Sequence, residues 1–220
     1  MGRPTGNRSP DLGACRVGRR GYGESGPSTF GATNVIIEHK EITPSGSFKG
    51  TIIDIETIGE FTRNRSYTAF NDSRQCENLQ QVIFGLINDK ELQIFCATCI
   101  EAIEELKSQT EQILNSLERP FYAFNTGFES SVWFHHIGIT INFDGELQEF
   151  KFESKAAAKM SLAIPNYDDP FHDVGRLCME AWHREEFDKA IAHNRACLLK
   201  ERDILLKRDY REPDKVNFNK

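Results

Sequence analysis

Lys49-Gly50-Thr51-Ile52-Ile53-Asp54-Ile55-Glu56-Thr57 is a short β-branched, apolar run with two carboxylates set into it two residues apart. Side chains alternate along a strand, so Asp54 and Glu56 fall on one face while Ile53 and Ile55 anchor the other. Two like charges at the end of an otherwise buried strand repel each other, and cations between them would relieve that cost. The pair reads as half of a metal site. The plainer alternative is a strand that surfaces at its end and leaves both acids in water.

Outward from this run, the polar connection 58–78 carries Arg63, Arg65 and Arg74, either a solvated loop or guanidinium groups that steer a phosphate backbone towards the acids. Residues 81–87 and 91–95 are apolar runs separated by Asn88-Asp89-Lys90, which predicts two strands joined by a tight turn. With the first run they make an antiparallel three-strand start, and Val35-Ile36-Ile37 adds an edge strand before it. Thr98 is placed to cap the next helix, with Glu101, Glu104 and Glu105 near its positive end. Ile103, Leu106, Thr110, Ile113, Leu114 and Leu117 give that helix an apolar face, and Pro120 stops it. Cys96 and Cys99 stand at this strand-to-helix junction, where a helix terminus can depress a thiol pKa. There is no second cysteine pair at zinc-finger spacing and no aromatic or proline context of the redox kind, so they are read as buried structural residues, with a thiol oxidoreductase as a minor rival.

Residues 121–124 are a fourth strand running into Asn125-Thr126-Gly127-Phe128-Glu129 and a helix over 130–136. Glu129 thereby lands in the first turn of a helix that begins where a strand ends, a second way of presenting an acid at a sheet's edge. His135 and His136 point to different helix faces. Alternation around Asp144-Gly145 in 141–148 predicts a hairpin. A helix over 154–164 is ended by Pro165. Two further helices are expected about 171–182 and 186–207, and Asp169 or Asp173 is positioned to cap the first of them.

A chain of 220 residues with net charge −6 has room for one substantial core. That charge, and a pI near 5.6, argue against holding duplex nucleic acid by charge alone, but not against carboxylates that carry cations. No apolar run reaches membrane-spanning length and Met1 is not followed by a secretory core, so a cytoplasmic, intracellular protein with no membrane partner is expected. Six irregularly spaced cysteines fit reduced thiols. Residues 1–33 are rich in Gly, Arg, Ser and Pro and are expected to be a disordered tail, 34–208 the folded domain, and 209–220 a polar C-terminal tail.

The order strand with Asp-x-Glu, two antiparallel strands, helix, strand, Asn-x-x-Phe-acid opening a helix, and a helical C-terminal third resembles the ribonuclease H-like fold. More narrowly it is similar to the DEDD 3′–5′ exonuclease superfamily in its predicted-exonuclease branch. The resemblance implies an α/β mixed sheet flanked by helices, spanning roughly 48–207. Asp54 and Glu56 match the first motif. Asn125 to Glu129 match the second, with Glu129 where Asp is usual and with Asn125 and Phe128 as substrate contacts. His193-Asn194-Arg195-Ala196-Cys197 has the spacing of the third, but Cys197 stands at its Asp position.

The resemblance implies two Mg2+ or Mn2+ ions held by Asp54, Glu56, Glu129 and a fourth acid, with His193 as proton acceptor. Three acids compete for the fourth place. At about 100° per residue, His193, Cys197 and Glu201 share one helix stripe, whereas Asp203 lies about 120° beyond it. Asp188 stands beside a helix start, an ordinary place for an acid. Glu201 is therefore the expected ligand, and Lys200 beside it a contact for phosphate. The implied activity is 3′–5′ exonucleolytic hydrolysis of single-stranded nucleic acid at its 3′ end. The alternative is a non-catalytic ribonuclease H-like domain that binds nucleic acid or a protein partner, which the Cys197 departure favours.

Overall fold

The computed structural model describes residues 35–62 and 71–219. The expected tail over 1–33 and the arginines at 63 and 65 lie outside them. The chain forms an α/β fold around one six-stranded mixed sheet. Its strands are β1 (Ile36–Ile42), β2 (Thr51–Ile58), β3 (Gln80–Ile87), β4 (Glu91–Ala97), β5 (Phe121–Ala123) and β6 (Gly145–Glu146), in the order β1-β4-β3-β2-β5-β6. The first four pair antiparallel; β5 and β6 then join in parallel. The helices are α1 (Ile103–Ser116), α2 (Thr126–His136), α3 (Lys155–Ser161), α4 (Gly175–His183) and α5 (Phe187–Arg208).

β2 is buried on both faces, which is why its sequence is nearly continuous isoleucine: Ile52, Ile53 and Ile55 are all in the core. Opposite Ile55, Phe84 meets Trp133 of α2. Trp133 Nε1 donates to Gln81 Oε1 (2.6 Å) and Gln81 Nε2 donates to Thr110 Oγ1 (2.8 Å), satisfying the buried polar atoms of that layer. Opposite Asp54, Gly85 faces α5. The acids of β2 thus look into the α5 layer.

Several local expectations give way to tertiary context. No hairpin forms around Asp144-Gly145. Instead Gly145–Glu146 lies parallel to β5, with Asp144 Oδ2 accepting from Phe121 N (2.7 Å) and Gly145 packed where a Cβ would meet the rings of Tyr122 and Tyr210. A free strand edge beside β5 outcompetes the local turn preference. Thr98 does not cap α1: its hydroxyl donates to Val35 O (3.0 Å), tying β1 to the end of β4, and a turn of 3₁₀ helix over Ile100–Ala102 leads into α1 without a side-chain cap. Neither Asp169 nor Asp173 caps α4, which starts after Val174. Both acids are drawn to the buried Lys200 instead, and Asp173 to the half-buried Lys159 as well. Arg74 is held on Asp72 (2.6 Å) rather than left free for a phosphate.

The polar C-terminal stretch crosses the β6 edge. Glu146 N donates to Arg211 O (2.8 Å) and Arg211 N to Glu146 O (2.9 Å), and Asn217 pairs with the backbone at Asn71 and Ser73. Among the described residues no helix is long and apolar enough to cross a membrane.

Candidate functional site

Asp54 sits in the middle of the sheet, 5% exposed. It does not surface. Asn194 of α5 reaches it across Gly85, its Nδ2 donating to Asp54 Oδ2 (2.8 Å). A Cβ at position 85 would overlap Asn194 Oδ1 and crowd Leu198 Cδ1 (2.9 Å), so the glycine creates the room for this contact. Gly85→Ala is expected to lower stability by about 1–3 kcal/mol in urea unfolding through overpacking. A variant as stable as the parent would show that α5 yields there at little cost.

Lys155 enters from the first turn of α3, which Ser154 caps by accepting from Ala157 N (3.1 Å). Its Nζ lies 2.9 Å from Asp54 Oδ1 and 2.6 Å from Glu201 Oε1. Glu201 is fully buried and Glu129 nearly so. Glu129 stands in the first turn of α2, whose N-terminus Asn125 caps by accepting from Phe128 N (3.2 Å). Acids from β2 and α5 thus share a single ammonium, and Glu129 of α2 lies close enough to feel the charges of all three groups.

Beside them, His193 is fixed by its Nδ1 on Asp169 Oδ1 (2.7 Å), and its Nε2 looks at Glu56 Oε1 (3.7 Å) and Cys197 Sγ (3.8 Å). Asp169 also binds Lys200 Nζ (2.6 Å), which bonds Asp173 as well, and Asp173 takes Lys159 Nζ (2.6 Å). Lys200 is completely buried in this network. It therefore does not face a phosphate, as the sequence led us to expect; two carboxylates behind α5 claim it.

Burial pushes the Glu201 carboxyl well up, against Lys155, with Asp54 adding repulsion. Burial likewise raises Glu129 well above the ordinary range, and the charges of Asp54 and Glu201 add to it. Burial raises Glu56 to about 7 although His193 opposes it. Burial works against the Lys155 ammonium, but Asp54 and the other negative groups around it outweigh this and hold its pKa well above the usual lysine value. For His193, burial favours the neutral ring, yet Cys197, Glu56 and Asp169 prevail and raise it to about 11. The imidazolium, a donor, is the form favoured at neutral pH, not the proton acceptor that the resemblance implies.

A carboxyl whose folded pKa lies above its unfolded value contributes stability that is complete below the unfolded value and disappears as pH rises through the folded one. For Glu56 that window runs from about 4.5 to about 7. Between pH 5 and 8 the metal-free protein should therefore lose stability, with Glu56 alone accounting for up to roughly 3 kcal/mol. Denaturant unfolding in chelator across that range is the check, and a flat or rising profile would contradict the picture.

Of the residues expected from sequence, Asp54, Glu129 and Glu201 converge around Lys155, while Glu56 and His193 adjoin them. Asp203 faces Tyr167 and Arg202, and Asp188 lines a surface groove with Glu38 and Arg195, so neither approaches the acids. Asn125 and Phe128 line a separate cleft of about 440 Å³ that also holds Phe61, Phe152 and Ser154, next to Lys155 in the chain. Sequence reasoning missed Lys155, Asn194 and Asp169. Asn194 had a signal, standing inside the third-motif segment, and Gly85 another, as a glycine inside a strand. Lys155 had none.

Asp54, Glu129 and Glu201 offer oxygens of the kind a hard divalent cation takes, although among the described residues their ligand atoms do not all lie within 4.8 Å of one another. Asp54, Glu129 and Glu201 surround one ammonium, and no donor among the described residues reaches Glu129 Oε2 or Glu201 Oε2. Compared with known proteins, the chain matches no family model, no curated protein and no solved structure.

Proposed function

We propose that this chain is a metal-dependent nuclease of the ribonuclease H-like kind that hydrolyses single-stranded nucleic acid from its 3′ end. The observation that carries this reading is the surplus of buried carboxylate over cation, with oxygens of Glu129 and Glu201 that no protein donor satisfies. Asp54, Glu129 and Glu201, with Glu56 beside them, would hold Mg2+ or Mn2+, which supplies an activated water and stabilises charge on the departing oxygen. Asn194 fixes the Asp54 carboxylate. The cleft at the start of α2 offers Phe128 and Phe61, ring centroids 6.1 Å apart, as a surface on which an unpaired base would stack.

Purified protein incubated with end-labelled single-stranded DNA and RNA, in magnesium, manganese or chelator, tests the proposal. A 3′-shortened ladder that chelator abolishes is expected. Absence of cleavage in every condition would overturn it and leave the second reading, a non-catalytic domain that binds nucleic acid or protein. One observation favours that second reading: the Lys155 ammonium already bridges Asp54 and Glu201.

Lys155→Met separates the two. Removing one partner of a buried ion pair leaves uncompensated charge and should cost about 3 kcal/mol in chelator. If the acids are a cation site, manganese recovers most of that loss in a thermal melt. If they serve only to hold Lys155, it recovers nothing.

A further inference from the structure

Glu56, His193 and Cys197 form a constellation of which the proposed hydrolysis uses only Glu56. One carboxylate oxygen, one imidazole nitrogen and one sulfur lie within 4.8 Å of one another. For a tetrahedral zinc site with bonds of about 2.0–2.1 Å to N or O and about 2.3 Å to S, the N to O edge is about 3.4 Å and the N to S edge about 3.5 Å. The distances of 3.7 Å from His193 Nε2 to Glu56 Oε1 and 3.8 Å to Cys197 Sγ are each within a few tenths of an ångström of those edges. His193 and Cys197 sit one turn apart on α5, so the helix itself fixes two of the three ligands.

The surroundings are those of a ligand and not of a merely packed histidine. Asp169 Oδ1 takes the far nitrogen of His193 at 2.7 Å, which sets the ring so that Nε2 is the atom offered to the site. Asp169 is in turn locked by Lys200 and by the backbone N–H groups of Phe171 and Asp173. Cys197 lies deep in the core, while the side chain of Glu56 retains 12% exposure and gives an ion a way in. A sulfur ligand is poorly matched to magnesium and well matched to zinc.

We propose that Glu56, His193 and Cys197 bind one borderline-soft divalent ion of the zinc class, with Asp169 as the positioning residue behind the histidine and a fourth coordination place left for water or another oxygen donor. Uptake displaces the thiol proton of Cys197 and the Nε2 proton of His193, so the bound ligands are thiolate and neutral imidazole. The site shares Glu56 with the hydrolytic reading but uses none of Asp54, Glu129 and Glu201, and it stands whether or not the chain cleaves nucleic acid.

The test is titration of chelator-treated protein with zinc and with cobalt(II), read by metal content and by absorption. One equivalent of cobalt is expected to bind with a thiolate-to-metal charge-transfer band in the near ultraviolet, zinc to displace it, and a large excess of magnesium to leave it in place. Cys197→Ser should abolish the band, and both Cys197→Ser and Glu56→Gln should weaken zinc by about a hundredfold or more. Binding of cobalt without a sulfur band, or a band that survives in Cys197→Ser, would overturn the proposal. If that variant does not fold, the Glu56→Gln affinity decides: an unchanged value refutes the site. These readouts are independent of cleavage, so loss of the nuclease reading and loss of the zinc site give different results.

Discussion

Replacing Asp54 by Asn is expected to lower magnesium- or manganese-dependent cleavage of an end-labelled oligonucleotide by about a hundredfold or more while the protein remains folded. Asp54 is the central acid: it contacts Lys155, accepts from Asn194, and its charge is felt by Glu56, Glu129 and Glu201. An amide in its place keeps the shape and can still accept from a donor, but it does not supply the charge that holds a cation. The fold should tolerate the change, since it removes one of the three acids around Lys155 even as it removes one contact of that ammonium. Undiminished cleavage by this variant, with an unchanged unfolding midpoint, would sink the nuclease reading.

A loss of stability as large as that of Lys155→Met is expected from Lys200→Met. Lys200 is completely buried, and its ammonium is shared between Asp169 and Asp173. Removing it leaves two buried carboxylates short of a partner, a class of change that costs about 3–5 kcal/mol. The lower end applies, because Asp169 keeps His193 and two backbone donors and Asp173 keeps Lys159. Methionine fills much the same volume, so little of the loss is cavity. Guanidinium unfolding measures it, and pairing the variant with Asp169→Asn should recover part of the loss, as expected for groups in direct contact. A cost under about 1 kcal/mol would show that the network relaxes or admits water.

How far a feature could be read from sequence depended on how local its cause is. The alternation in β2, the turn between β3 and β4 and the apolar face of α1 depend on neighbouring residues, and all three appear in the structure where expected. The helix stripe through His193, Cys197 and Glu201 depends only on helical geometry, and the three are buried together. Lys155 was invisible because nothing within its own segment sets it apart. Its position depends on its contact with Asp54 of β2, 101 residues away in sequence. Lys200 failed for the opposite reason. Its neighbour in sequence, Glu201, faces the acids, but a one-residue step turns the helix by about 100° and sends the lysine to Asp169 instead. The Asp144-Gly145 hairpin was a sound local inference defeated by an available strand edge.

That same edge bears on how copies of the chain meet. A sheet with open margins invites another strand, and proteins protect them with short strands, charge or a covering segment. On the β6 side both a short strand and a cover are present: the strand has two residues, and Arg211 exchanges two backbone hydrogen bonds with Glu146. The β1 margin is seven residues long and presents Glu38 and Lys40 to solvent, one charge of each sign. Those charges discourage an apolar strand from docking but not a complementary copy of β1 itself, which in antiparallel register would set lysine against glutamate. Among the described residues the β1 margin is thus guarded by charge alone, whereas loss of the segment beyond Asp209 would uncover the β6 margin.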